Sequence, residues 1–211
     1  MKVLHLIPAA FDYFADIEAG AFRLVEELSK LGVGAEAFTV QFAKPPREVT
    51  REKAPPGLPP PHYRGAVTVS EVETRLAEFD LLHVHTPLFG AAGRVLRWQQ
   101  QHPQLPLVVT WHRALPTPDA FALLIKIYNL YYLPKLFAAA AVIACPSRQV
   151  FGNYFWQRAG RYQNKIQEIN ETPPFGVGEP EAESELPLAG PERLAYRYFL
   201  VYTDLVEKGQ Q

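Results

Sequence analysis

The residues best equipped for chemistry lie in one stretch, Phe79–His112, which reads FDLLHVHTPLFGAAGRVLRWQQQHPQLPLVVTWH. An imidazole titrates near neutrality, hydrogen-bonds through two nitrogens and ligates metals. His83 and His85 alternate, so on a strand they share a face. Such a pair can seed a zinc site, but zinc takes three or four ligands. No Cys or carboxylate set accompanies the pair, so no metal is expected. His83 is expected to pack inside and His85 to stand near the rim of a site. His112 closes a second apolar run, Leu107–Trp111, as Thr86-Pro87 closes the first, Leu81–His85.

Other candidates are weaker in type or spacing. Gly20 precedes Ala21 at the expected start of a helix, where backbone amides can cradle phosphate or sugar oxygens. An ordinary loop glycine explains it as well. Ser147 follows Pro146 after an apolar run and fits a helix N-cap or a ligand contact. Arg113 and Arg148 lie beside strand ends, placed to meet an anionic acceptor or simply to be solvated. The single cysteine, Cys145, sits in an apolar run and reads as a buried small hydrophobe.

The elements that must position these groups alternate between strand and helix. Lys2–Pro8 (KVLHLIP) is a continuous apolar run, as in a strand buried on both faces of a parallel sheet. Pro8–Gly20 is read as a loop. Phe22, Val25, Leu28 and Leu31 then recur at helical spacing across Ala21–Leu31, with Gly32 and Gly34 as the stop. Ala35–Val40 is the next strand. Pro45–Pro61 holds seven prolines and is read as an irregular loop. Ala66–Val69 is a short strand, and Ser70 with Glu73 fits a capping box. The central stretch then gives strand, turn, helix, strand.

Beyond His112, Asp119 is placed to cap a long helix, and Ala141–Cys145 and Lys165–Ile169 are strands. Leu123, Leu124, Ile127, Tyr128, Leu130, Tyr131, Tyr132 and Leu136 place apolar side chains nearly all round the helix between. Burial against a neighbouring helix is the preferred reading; a membrane surface or a partner domain is the alternative. Strand–helix–strand units of this length make a parallel sheet. Ligands sit outside the carboxyl ends of such strands. Topology therefore puts His85, Thr86 and His112 at the site.

Composition bounds the class. The 211 residues suffice for one domain or a little more, and 48% are apolar, as in globular proteins. The formal net charge of -1 leaves no basic footprint for nucleic acid. One cysteine excludes an intramolecular disulfide framework and fits a reducing cytosol. The N-terminus has too short an apolar run for a signal peptide, and Ala120–Ala144 is too interrupted to span a bilayer.

Taken together, KVLHLIP, the Gly20 loop and its helix, FDLLHVHTP, LPLVVTWHR, AAVIACPSRQV and the tail FLVYTDLVEKG resemble the N-terminal half of a retaining GT-B glycosyltransferase of the family 4 group. The resemblance implies an α/β fold: a Rossmann-like, doubly wound parallel sheet, one half of a GT-B pair. It implies an acceptor-side domain over 1–172, a Pro/Glu-rich linker over 173–194, and a stub over 195–211 that opens a missing, truncated donor domain with its first strand. His112 stands in the family's Thr-x-His position, implying contact with acceptor or transferred sugar and a catalytic part. Gly20, His85, Thr86, Arg113 and Ser147 become the substrate-binding set, and Lys208 a weak contact to the donor diphosphate. The resemblance also implies a nucleotide-sugar as donor substrate, with neither metal nor other cofactor.

Two departures bear on activity. The family's Gly-Gly pair is Ala19-Gly20 here, and Thr203-Asp204 replaces the arginine expected before Lys208. An Asp carboxylate repels a diphosphate. The expected partners are therefore a separate donor-binding half or a full-length relative, and a saccharide or lipid-linked acceptor. The expected location is the cytoplasm, at the inner face of the membrane. The alternative is a non-catalytic glycan-binding or regulatory half.

Overall fold

The computed structural model describes residues 1–8, 15–40, 63–67, 69–112, 119–155, 159–169 and 190–209. Seven strands form one sheet, all parallel: β1 (Lys2–Pro8), β2 (Gly34–Val40), β3 (Tyr63–Val67), β4 (Leu81–Thr86), β5 (Leu107–Trp111), β6 (Val142–Cys145) and β7 (Ile166–Glu168). Their order across the sheet is β3-β2-β1-β4-β5-β6-β7. The chain runs outward from β1 to β3, then returns to the other side of β1 and runs outward again. The reversal falls between β1 and β4, the topological switch point where such sheets bind ligands.

Strands buried on both faces explain the unbroken apolar runs. Every residue of β4 is buried, and so are six of the seven in β1. Helices cover each face. On one lie α1 (Ala15–Lys30) and α7 (Gly190–Gly209), packed on Val3, Ile7, Leu81 and Val108. On the other lie α2 (Val69–Arg75), α3 (Ala92–Gln101), α5 (Leu133–Ala139) and α6 (Arg148–Tyr154), around Leu4, Leu6, Leu82, Val84 and Val109. α4 (Asp119–Tyr131) runs ahead of α5 and reaches that core through Tyr128.

The doubly wound parallel sheet is as expected; several elements are not. The tail read as a strand stub is helical. Ala195, Tyr198, Val201 and Tyr202 are buried against the sheet and α1, so α7 completes a layer of this domain and opens no strand of another. Helix α1 begins at Ala15, earlier than the expected Ala21, and carries Gly20 inside it. The expected strand at Ala66–Val69 lies at Tyr63–Val67, and α2 already includes Ser70. The expected single helix after Asp119 is broken into α4 and α5, with Pro134 in the first turn of α5, where a missing N–H costs nothing. The loop at 45–61 and most of the proposed linker, 173–189, lie outside the described residues, and the rest of it, 190–194, is the start of α7.

Candidate functional site

Strand parity brings four histidines together. Side chains two apart on a strand share a face. On the α1–α7 face, β1 presents Val3, His5 and Ile7, and β4 presents Leu81, His83 and His85. His5 pairs in register with His83, and His85 with Thr110. Continuing β5 by two residues from Thr110 gives His112.

The contacts form two hydrogen-bonded sets. In the first, His5 Nδ1 lies 3.2 Å from His85 Nε2, and His85 Nδ1 lies 3.1 Å from His112 Nε2. The rings stack along this line, with His85 and His112 centroids 5.4 Å apart. In the second, Tyr202 Oη is 2.6 Å from His83 Nδ1, His83 Nε2 is 2.6 Å from Thr110 Oγ1, and Thr110 Oγ1 is 2.6 Å from Tyr198 Oη. Both tyrosines come from α7, so that helix supplies one of the two hydroxyls on His83, Tyr202, while Tyr198 backs the other, Thr110 of β5. His83 and His85 stack with centroids 4.3 Å apart and join the two sets.

Burial sets the charge state. His5, His83 and His85 are fully enclosed, whereas His112 is partly exposed at the strand end. Desolvation lowers His5 to about 3 and His112 to about 4. His83 and His85 fall well below the ordinary histidine value, through burial first and then through neighbouring histidines. All four rings are neutral at pH 7. Burial likewise raises Tyr198 and Tyr202, which remain hydroxyl donors and acceptors.

His5, His83 and His85 offer nitrogens that all lie within 4.8 Å of one another. Neutral imidazoles are competent ligands. Five of the six nitrogens in this trio already have hydrogen-bond partners, and only His5 Nε2 has none. A metal there would displace hydroxyls or rings from bonds already made, so the arrangement suits a hydrogen-bonded layer better than a coordination site.

The expected site residues fare unequally. His85 and His112 are brought together. His85 is enclosed rather than at a rim. Thr86 is buried and donates its hydroxyl to the Thr110 carbonyl at 3.0 Å, which ties β4 to β5 and removes it from ligand contact. Gly20 is an exposed mid-helix residue, so its amide belongs to the helix ladder and makes no phosphate cradle. Ser147 caps α6, accepting from the Val150 amide at 3.4 Å. The Arg148 guanidinium donates to the Ile166 carbonyl at 2.6 Å. Lys208 is on α7, 2.7 Å from Asp204 one turn back, a local ion pair that leaves little for a diphosphate. Arg113 lies outside the described residues. Cys145 is buried, its thiol pushed up to about 11 by burial and Glu168.

Sequence reasoning did not single out His5, Thr110, Tyr198 or Tyr202. The parity of His5 in KVLHLIP and the i, i+4 spacing of the tyrosines were visible. Their meeting depends on strand order and on α7 being a helix.

The exposed face of α4 is the other feature. Leu123 is 65% exposed, Leu130 69% and Ile127 51%, so most of the stripe expected to be buried faces outward, while its Tyr128 and Leu136 are buried as expected. Lys135 Nζ sits 3.7 Å over the Tyr131 ring, and no Asp or Glu occurs between Ala120 and Ala140. No helix among the described residues is long and apolar enough to cross a membrane.

No curated protein matches the chain. The sequence model of Glycosyltransferase Family 4 matches residues 17–160, from the first turn of α1 to the turn after α6, a span that holds His83, His85 and His112. With more than half of its length matched and a doubly wound parallel sheet bearing histidines at the switch point, the chain belongs to Glycosyltransferase Family 4.

Proposed function

We propose that this chain is the acceptor-side half of a nucleotide-sugar-dependent glycosyltransferase, with its site at the carboxyl end of β4 and β5. The observation that carries the reading is His112: a neutral, partly exposed imidazole at the strand end, held from behind by a buried histidine, in a member of this family. Neutral N–H donors in a partly enclosed site suit sugar hydroxyls and phosphate oxygens. Neither Gly20 nor Lys208 is arranged to hold a diphosphate. The reading therefore gives the donor nucleotide to a second, donor-binding half.

The acceptor in this reading is lipid-linked. The apolar face of α4, with Lys126 and Lys135 and no carboxylate, suits an anionic lipid surface at which such an acceptor would be met.

Adding a donor-binding half from a full-length family member is expected to yield sugar transfer from nucleotide-sugar, and His112→Ala to abolish it without unfolding the chain. The second reading, a non-catalytic glycan-binding half, is favoured by the Lys208–Asp204 pair. It expects saccharide binding by the chain alone and no turnover with any donor half.

A further inference from the structure

The row His5–His85–His112 contains more information than its distances. A neutral imidazole carries one N–H and one lone pair. Two hydrogen bonds in series across three neutral rings therefore run in one direction or the other. If His112 donates inward, then His85 donates to His5, and His5 Nε2 must carry a hydrogen. That nitrogen is fully buried and has no partner. If the bonds run outward, His5 Nδ1–H donates to His85, His85 Nδ1–H donates to His112, and His5 Nε2 is a bare lone pair. Orphaned buried N–H groups are rarer than under-used acceptors. The outward direction also leaves the one free hydrogen on His112 Nδ1, at the partly exposed end, where no described residue takes it. A doubly protonated His85 would serve both neighbours, but it would bury a charge stacked 4.3 Å from His83.

We propose that His5 and His85 are positioning residues that hold His112 in its Nδ1–H form, so that it meets ligand as a neutral hydrogen-bond donor and not as a base. The ligand class, a sugar hydroxyl or a phosphate oxygen, rests on the reading of this site as a glycosyltransferase half. The direction of the row rests on geometry alone. Protonating His112 at Nε2 would reverse both bonds and put an orphan N–H at His5. The donor role is therefore locked from as far as two strands away, by groups that touch no ligand: His5 on β1 and His85 on β4, with His83, Tyr198 and Tyr202 packed beside them.

The test is long-range proton–nitrogen NMR on the 15N-labelled chain at neutral pH. His5, His85 and His112 are each expected to show a pyrrole-type Nδ1 and a pyridine-type Nε2. A pyrrole-type Nε2 on His112 overturns the proposal. In His85→Leu the ring of His112 loses its donor and should relax toward the Nε2–H form that free imidazole side chains prefer. In His5→Asn, whose amide N–H stands where Nδ1–H stood, it should stay Nδ1-protonated. If His112 keeps the Nδ1–H form in His85→Leu, the row does not hold it and the proposal fails; if either variant does not fold, the three tautomers of the unaltered chain decide. Titration with inorganic phosphate, or separately with glucose, should shift the His112 Nδ1–H resonance. No shift, with the tautomers as expected, refutes the ligand reading and leaves the row intact.

Discussion

His83 is held from both sides by hydroxyls, and removing one of them is the smallest change that probes the polar layer. Tyr202→Phe keeps the ring that packs on the sheet and deletes the group 2.6 Å from His83 Nδ1. A buried nitrogen left without its partner costs about 1–3 kcal/mol. We expect a lower urea midpoint with an unchanged denaturant slope, since the surface exposed on unfolding is the same. A midpoint equal to that of the unaltered chain would mean that water or another hydroxyl replaces Tyr202. Thr86 shows the opposite case. Its sequence position suggested ligand contact, yet its hydroxyl reaches only as far as the next strand's carbonyl. A short side chain on a buried strand satisfies itself locally unless a cavity is beside it, and sequence alone does not distinguish the two.

Elements were legible where their pattern was unambiguous. Apolar runs such as KVLHLIP and LVVTW form central strands, because burial on both faces demands such runs. Ser147 capped its helix because Pro146-Ser147 ends a strand where a helix must start. The tail RYFLVYTDLV misleads because aromatic and β-branched residues favour strands. Its helical signal was Ala195, Tyr198, Tyr202 and Leu205, with Pro191 and Glu192 in the first turn; the decisive term is packing on α1 and the sheet, which is tertiary. In α4 the apolar composition does not reveal its surroundings: among the side chains described on this helix, only Tyr128 is buried. If this face meets lipid, Leu130→Glu should markedly reduce co-sedimentation with anionic vesicles. Leu130 is 69% exposed, so stability should change by no more than about 0.5 kcal/mol. Unchanged sedimentation would point to a protein partner instead.

The whole molecule carries the pH consequence of four neutral rings in one layer. Above the ordinary histidine value of 6.5, folded and unfolded chains bind the same protons at these sites. Below it the unfolded chain protonates, while the folded rings stay neutral down to about 4 for His112 and about 3 for His5. Folded values that are depressed therefore remove stability as pH falls from 6.5 toward 4. Each of these two rings costs about 1.4 kcal/mol per pH unit in that window, so the two cost roughly 3, and His83 and His85 act in the same direction. Against a usual stability of about 5–15 kcal/mol, a large loss of stability is expected within about two units below 6.5. Urea titrations at pH 7.5, 6 and 5 check it, and a stability flat across that range would show that the rings open to water before they charge. The same layer has a consequence for synthesis. The bond from Tyr202 to His83 spans 119 positions, and that from Tyr198 to Thr110 spans 88. A nascent chain emerging from the ribosome can pair its strands long before α7 exists, but it must do so with His83 and Thr110 uncovered. The layer that closes the polar face is thus translated after all seven strands, and until it arrives the growing chain leaves those polar groups of the sheet open to water.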